Sequence, residues 1–137
     1  MSGTSADGVD AVLANFEGAS ANPKWELLNV VSTPYPNDLR SILIQASQGM
    51  PMTMSDLLEV SEAVTEFHAQ AVKSCEPGGH FDLVGCHGQT LWHRPPKEER
   101  RGASLQILQA QLLAQLLNRP VVNDFRAADI CMGGEGA

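Results

Sequence analysis

Residues 53–75 read TMSDLLEVSEAVTEFHAQAVKSC and form the clearest helical pattern of the sequence. Thr53 and Ser55 are both residue types that cap helix N-termini. The apolar residues that follow recur at spacings of three and four, the period of a helix that buries one face. They are Leu57, Val60, Val64, Phe67, Ala71 and Cys75. The pattern predicts a long helix whose apolar stripe lies in the core.

The segments before this helix predict a β-hairpin and a short helix. VDAVLANFEG (9–18) and KWELLNVVSTPY (24–35) are rich in residues that favour strands, and the connection EGASANP (17–23) favours a turn. A short helix is expected to begin at Pro36 or Asn37 and to end near Gly49.

The segments after the long helix alternate between strand-like and helix-like patterns. FDLVGCHG (81–88), ASLQIL (103–108) and PVVNDF (120–125) have the length and composition of short strands, and QAQLLAQLLNR (109–119) is a strong helix former. The succession predicts an α/β fold with a mixed β-sheet and flanking helices.

Composition limits the classes of function. The chain has 137 residues, 43% of them hydrophobic, which is the size of one domain with a real core. Nine Lys and Arg stand against 16 Asp and Glu, for a formal net charge of −7, so neither nucleic acid nor a membrane is an expected partner. The one basic segment, HRPPKEERRG (93–102), is expected to be a solvated loop.

The cysteines and the N-terminus bear on location. Cys75, Cys86 and Cys131 are odd in number and share no short spacing, which favours free thiols over disulfides or a zinc site. The N-terminus has neither a basic region nor an apolar region of the kind that signal peptides carry. A reducing cytoplasm is therefore the expected location.

Three segments follow predicted strands or open the chain, and such positions often hold ligands in α/β proteins. In the first, SGTSADGVD (2–10), small residues and hydroxyls offer backbone N–H groups for phosphate oxygens. Asp7 and Asp10 add carboxylates at a spacing that suits Mg²⁺, held directly or through water. The alternative is that Asp7 and Gly8 form a tight turn into the hairpin.

The second segment, GCHGQTLWH (85–93), places His87, Gln89 and Thr90 directly after a buried strand. His87 has the chemistry of a general base or a hydrogen-bonding group, and the alternative is that neighbouring backbone satisfies it. The other histidines are less suggestive: His68 is expected to be structural within the long helix, and His80 is expected to be exposed in a turn.

The third segment is NDFRAADICMGGEGA (123–137). Asp124 and Arg126 straddle the expected end of a strand, so their side chains are expected on one face, and Arg126 suits a carboxylate or phosphate ligand. A surface ion pair is the alternative. The terminal GGEGA (133–137) has the composition of an anion-binding or flexible loop.

Together these three segments resemble the anhydro-N-acetylmuramic acid kinase family, sugar kinases of the actin, hexokinase and heat-shock ATPase superfamily. The resemblance is carried by MSGTSADGVD, by GCHGQTLWH and by NDFRAADICMGGEGA, in the same order and spacing. This sequence differs from the family at Ala6, where the family has another apolar residue, and at Ala127 and Ala128, where some members have arginines. The last difference weakens a sugar-binding role for that segment.

The resemblance implies a fold and an activity. The fold is part of the N-terminal domain of an actin-like ATPase, related to ribonuclease H. The activity uses ATP and Mg²⁺ to phosphorylate O6 of 1,6-anhydro-N-acetylmuramic acid, while water opens the anhydro bridge to give N-acetylmuramic acid 6-phosphate in cell-wall recycling. A small-molecule sugar is therefore the implied partner, and a homodimer of the intact protein is compatible with the family.

The resemblance also implies site residues. The ATP-binding set is Gly3, Thr4, Ser5, Ala6, Asp7, Gly8, Val9 and Asp10. The sugar-binding set is His87, Gln89, Thr90, Asp124 and Arg126. Asp7 and Asp10 are the metal ligands it suggests.

The match covers residues 1–137 as an incomplete N-terminal domain, so that no catalytic residue is expected within the chain. Family members have a strand before the SGTS segment and a second domain with the aspartate that acts as general base. Because phosphoryl transfer needs groups from both sides of a cleft, we expect this chain alone to be inactive. The alternatives are a non-catalytic nucleotide- or sugar-binding module and a pseudoenzyme.

Overall fold

A computed structural model describes residues 5–136 of the chain. Six strands and four helices follow one another along it. They are β1 (Gly8–Glu17), β2 (Lys24–Pro34), α1 (Asn37–Ser47), α2 (Met54–Cys75), β3 (Val84–Gly85), β4 (Gln89–Arg94), β5 (Ala103–Ile107), α3 (Ala110–Leu117), β6 (Val121–Val122) and α4 (Ala127–Cys131). The predicted α/β class is confirmed.

The strands form three separate two-stranded sheets. β1 pairs with β2 antiparallel, β4 with β5 antiparallel, and β3 with β6 parallel. The hairpin and the strands β3, β5 and β6 lie where the sequence predicts them. Both pairing directions occur, as expected of a mixed sheet, but the described strands are not joined into one. β3 and β6 share only two residue pairs, and no further described strand lies beside either.

Helix α2 carries the core on one of its faces. Val64 and Ala71 are fully buried against the β1–β2 hairpin, where they meet Val9 and Ala11. The ring centroids of Tyr35 and Phe67 are 4.9 Å apart in the same cluster. The apolar stripe predicted for residues 57–75 is therefore the core face of the helix.

A second face of α2 packs against α3. Ala69 of α2 joins Val84 of β3 and Leu113 and Leu117 of α3 in a smaller apolar cluster. Thr65 is fully buried beside it, and its hydroxyl accepts a hydrogen bond of 2.9 Å from the backbone N–H of Gln109, where α3 begins. α2 thus fixes the start of α3 as well as the hairpin.

Both ends of α2 are secured by side chains. Thr53 and Asp56 form a capping box, with each side chain accepting a 3.1 Å bond from the other residue's backbone N–H. At the far end, the Asn29 amide on β2 donates a 2.8 Å bond to the Cys75 carbonyl. Among residues 5–136, no helix combines the length and the apolar character needed to cross a membrane.

The remaining expectations on cysteines, histidine and the basic segment are confirmed. Cys75, Cys86 and Cys131 are free thiols. His80 is exposed and lies 3.2 Å from the Glu76 carboxylate. Residues 97–101 are exposed between β4 and β5, as predicted for the basic segment.

His68 is the buried histidine of α2, with 3% of its surface exposed. Its Nδ1 lies 2.7 Å from the carbonyl oxygen of Val64. Because a carbonyl oxygen can only accept, Nδ1 carries the proton of the neutral ring. Burial lowers the pKa of His68 to about 4, although the bond to Val64 acts in the opposite direction. The predicted structural role is confirmed, and the ring is neutral at pH 7.

We predict that the free energy of unfolding falls as the pH is lowered from 6.5 to 4. In this window the unfolded chain protonates His68 and the folded chain does not, so protons favour unfolding. The loss is roughly 3 kcal/mol by pH 4. Urea unfolding at a series of pH values measures it in the wild type, in His68→Gln and in the exposed control His80→Gln. An equal pH dependence in the wild type and His68→Gln would contradict the prediction.

Candidate functional site

A polar pocket of about 260 Å³ lies where the opening segment enters β1. Asp7 and Asp10 line it on the β1 side, and Ser32 and Thr33 of β2 line it on the other. The Asp10 carboxylate accepts a 2.6 Å hydrogen bond from the Ser32 hydroxyl. The Asp7 carboxylate accepts a 3.0 Å bond from the guanidinium of Arg40 on α1. Two carboxylates from the predicted set therefore converge on one pocket.

The backbone of this segment is held close to β2. A Cβ atom on Gly8 would collide with the Thr33 carbonyl oxygen, so only glycine fits there. The Tyr35 N–H donates a 3.2 Å bond to the Asp7 carbonyl, which continues the pairing of β1 and β2 beyond Gly8. Asp7 and Gly8 are thus the entry to a strand, and the alternative of a tight turn at these residues is wrong.

Asp7 is ionised in this setting. A hydrogen bond from the Ser5 side chain and, after it, the bond from Arg40 lower the pKa of the Asp7 carboxyl below its ordinary value. The Asp7 side chain is exposed, so water and dissolved ions reach the same carboxylate. The pocket is therefore acidic but accessible.

The donor set of this pocket fits a hydrated magnesium ion. Mg²⁺ takes oxygen ligands and is usually bound through one or two carboxylates while it keeps several waters. Asp7 and Asp10 offer two carboxylates. No group of three or more acidic, histidine or cysteine side chains suited to a metal occurs within residues 5–136. Gly3 and Thr4 of the predicted ATP-binding set lie outside the described residues.

A second polar cluster joins β4, β5 and α4. The Arg126 guanidinium, at the N-terminus of α4, donates bonds of 3.4 Å to the Thr90 hydroxyl and 3.3 Å to the Ser104 hydroxyl. The Gln106 amide also donates to the Ser104 hydroxyl. Thr90 is 1% exposed and Arg126 is half-buried. The structure therefore brings together Thr90 and Arg126 of the predicted sugar-binding set.

The other predicted residues of this set are placed differently. Gln89 is buried, and its amide donates a 3.1 Å bond to the Thr90 carbonyl. His87 is half-buried in the loop between β3 and β4. Gln89 and Thr90 are the first residues of β4, a strand that the sequence did not predict.

The expectation that Asp124 and Arg126 share one face of a strand is wrong. β6 ends at Val122, two residues before Asp124, and α4 begins directly after Arg126. Asp124 has a φ angle of 58°, in the left-handed region, and is exposed. The alternation of side chains in a strand does not apply to such a turn. No ion pair links the two residues in the part of the chain that the structure describes.

The glycine-rich terminal segment folds over an acidic side chain of the same chain. The Gly136 N–H donates a 2.7 Å bond to the Asp129 carboxylate, and the Gly134 N–H donates a 2.8 Å bond to the Asp129 carbonyl. Two backbone donors of the predicted anion-binding loop are thus occupied by Asp129.

Four residues of these clusters were not predicted from the sequence: Ser32, Arg40, Ser104 and Gln106. Ser32 lies opposite Asp10 in the hairpin, so the strand register was the only signal that could have indicated it. Arg40 is 33 residues from Asp7, and Ser104 is 22 residues from Arg126. No local pattern connects residues at such separations.

Comparison with known proteins gives one consistent result. The sequence model described as anhydro-N-acetylmuramic acid kinase matches residues 1–137. A protein named anhydro-N-acetylmuramic acid kinase from Prochlorococcus marinus (strain MIT 9303) is 63% identical over 137 residues, which are 100% of this chain and 36% of that protein. A protein of the same name from Synechococcus sp. (strain CC9902) is 58% identical over the same share of each chain. The chain spans little more than a third of the length of these relatives.

We predict that Ser5→Ala raises the pKa of Asp7 toward its ordinary value more than Arg40→Met does. The Ser5 hydrogen bond is the larger of the two causes of the lowered pKa. Arg40→Lys is the charge-conserving control, and added salt should reduce the Arg40 effect because the ion pair is exposed. NMR titration of the Asp7 carboxyl carbon measures the pKa in each variant. An Asp7 pKa that is the same in all variants would contradict this account.

Proposed function

The chain belongs to the anhydro-N-acetylmuramic acid kinase family, and we propose from that premise that it is the part of an ATP-dependent sugar kinase that holds the nucleotide phosphates. The observation that carries the proposal is the pocket at the start of β1, where Asp7 and Asp10 converge within the matched segment. We infer an actin-like ATPase domain as the fold, supported by the family and by the mixture of helices and small sheets.

The opening segment would act on the phosphates of ATP. Backbone N–H groups of the predicted segment 3–10 would donate to phosphate oxygens, as consecutive amides do in anion-binding loops. Asp7 and Asp10 would hold Mg²⁺ directly or through water, and the ion would supply positive charge against the phosphates. Arg40 holds the Asp7 carboxylate in place at 3.0 Å, which limits the positions that this ligand can take.

The second cluster would face the sugar. Arg126, Thr90 and Ser104 present a guanidinium and two hydroxyls that are already oriented by hydrogen bonds. Such groups suit the hydroxyl and carboxylate oxygens of an anhydro-amino sugar acid. His87, Gln89 and Asp124 complete the proposed sugar-binding set, on the basis of the resemblance rather than of contacts with one another.

The proposed reaction is phosphorylation of O6 of 1,6-anhydro-N-acetylmuramic acid with hydrolytic opening of the bridge. The resemblance implies that the general base is an aspartate of the family that lies outside the segment matched by this chain. Positioning of the attacking group across a cleft supplies much of the rate in such transfers. We therefore propose that these 137 residues contribute phosphate and sugar contacts and that catalysis needs the remaining length found in the relatives.

We predict that a chimera containing this chain is an active kinase and that its kcat depends on the Asp7 carboxylate. The chimera replaces the matched 137 residues of the Prochlorococcus marinus relative with this chain. Asp7→Asn in the chimera should lower kcat about 100-fold, a loss typical of removing one electrostatic contact to a transition state. Phosphorylated sugar is measured by mass spectrometry, and the Mg²⁺ concentration for half-maximal rate should rise.

The matched control for this chimera is Asp38→Asn, which removes an exposed carboxylate in the first turn of α1. It should leave kcat within twofold. An Asp7→Asn chimera as active as the control would refute the metal and phosphate role of Asp7. Calorimetric titration of the isolated chain with Mg-ATP and with the anhydro-sugar tests the alternative, since binding without turnover would favour a non-catalytic binding module.

A further inference from the structure

The hairpin of β4 and β5 directs Thr90, His93, Ser104 and Gln106 to one face. Residues opposite each other in an antiparallel pair lie on the same face of the sheet. Thr90 is opposite Gln106, and His93 is opposite Ser104. Ser104 and Gln106 are two positions apart on β5, so they share a face as well. The register of β4 shifts between Thr90 and His93, and this allows both side chains to point to that face.

Helix α4 is attached to this polar face at its first turn. Arg126 directly precedes α4 and donates its hydrogen bonds to Thr90 and Ser104. The Ile130 N–H donates a 3.0 Å bond to the Arg126 carbonyl, which closes the first turn of the helix. Asp129 lies in the same turn. The contacts of Arg126 therefore also fix where Asp129 lies relative to the hairpin.

The glycine-rich segment 133–136, which follows α4, is folded around the Asp129 carboxylate. The Gly136 N–H donates a 2.7 Å bond to this carboxylate. A Cβ atom on Gly134 would collide with the same carboxylate, so a larger residue there would displace it. Gly133 and Gly136 have φ angles of 91° and 75°, a backbone conformation that favours glycine. The segment thus has the shape needed to hold this side chain.

The same segment returns to the β4–β5 hairpin. Gly136 is buried, and a Cβ atom on it would lie 3.6 Å from Cε1 of His93 and would collide with the Ile130 side chain. Gly136 therefore lies between β4 and α4. The hairpin and α4 are joined at two places, directly by Arg126 and, through Asp129, by the glycine-rich segment.

We propose that Asp129 is a positioning residue for the sugar, because it holds the glycine-rich segment against β4 and so fixes a wall beside the polar face that Arg126 contacts. Asp129 itself touches neither ligand, since its carboxylate is engaged with Gly136. This role rests on the proposed function, in which the cluster around Arg126 faces the sugar. The sugar-binding set predicted from the sequence does not include Asp129.

Loss of this contact should affect the sugar and spare the nucleotide. The polar pocket at the start of β1 is lined by the opening segment, β1 and β2, and by no residue of α4 or of the glycine-rich segment. Without the Asp129 carboxylate, the Gly136 N–H loses its acceptor and the segment can leave β4. The sugar must then order the segment when it binds, and this ordering lowers its affinity.

The experiment measures KM for the anhydro-sugar and KM for ATP in the chimera described above. Asp129→Ala should raise KM for the sugar about tenfold, the value of one hydrogen bond to a charged acceptor, and leave KM for ATP within about twofold. Asp129→Asn keeps an oxygen that can accept from the Gly136 N–H, so it should hold KM for the sugar within about threefold of the wild type. Partial unfolding lowers the maximal rate without changing KM, so a purely structural defect gives a different pattern.

The matched control is Asp38→Ala, since Asp38 is also an aspartate in the first turn of a helix. Both KM values should equal those of the wild type. Amide exchange in the 137-residue chain, followed by NMR, is the local measurement. Asp129→Ala should speed exchange at Gly136 and leave Gly134 unchanged, because the Gly134 N–H bonds to the backbone carbonyl of residue 129, which the substitution retains.

The proposal is overturned by an unchanged KM for the sugar in Asp129→Ala, by an equal rise in both KM values, or by unchanged exchange at Gly136. It is also overturned if Asp129→Asn is as defective as Asp129→Ala, since the negative charge rather than the bond to Gly136 would then matter. Failure of the proposed function is a separate result: the unmodified chimera would bind no anhydro-sugar in a calorimetric titration, and the positioning role would fall with it.

Discussion

Burial of α2 on two faces is the constraint on which the other elements depend. Val64 and Ala71 are fully buried against the hairpin, while Ala69 and Thr65 lie against α3. A fully buried side chain of the size of Val64 contributes about 1.5 to 3 kcal/mol and a buried alanine methyl about 0.8 kcal/mol, which together are large against the stability of a small domain. The position of α2 then fixes β1 and β2 on one side and the start of α3 on the other. Both polar clusters lie on segments attached to that framework.

Close backbone approach gives the two clusters their shape. Gly8 lies against the Thr33 carbonyl and Gly88 against the Ile107 carbonyl, at separations where a Cβ atom would collide. These contacts bring Asp7 and Asp10 beside Ser32, and Thr90 beside Ser104. The chemistry of each cluster thus depends on a neighbouring strand that supplies a hydroxyl. Family membership gives these clusters a proposed role in phosphate and sugar binding.

Much of the fold could be predicted because its signals are local. The hairpin, α1, α2 and α3 follow from apolar periods and caps within a few residues of one another, and Thr53 caps α2 as expected. β4 and α4 were missed because their residues were interpreted as loop segments that hold ligands. In the candidate site, Asp7 and Asp10, three positions apart in the sequence, line the same pocket, and their proposed role in holding a metal stays a prediction. Asp124 and Arg126 were misplaced because the strand before them ends earlier than its composition suggested.

The sequence by itself determined the hairpin and the helices α1, α2 and α3, the core face of α2 and, through its three motif segments, the family. Those properties follow from the periodicity of apolar residues over two to four positions or from short sequence motifs. No long-range geometry is needed to establish them. Only the tertiary structure decided that Arg40 holds Asp7, that Arg126 joins Thr90 to Ser104, and that His68 lines a groove between β1 and β3. The hydrogen bonds of Arg40 and Arg126 join residues 22 to 36 positions apart. The groove depends on how the separate sheets pack against α2. Packing brings them together, and packing is a property of the whole chain.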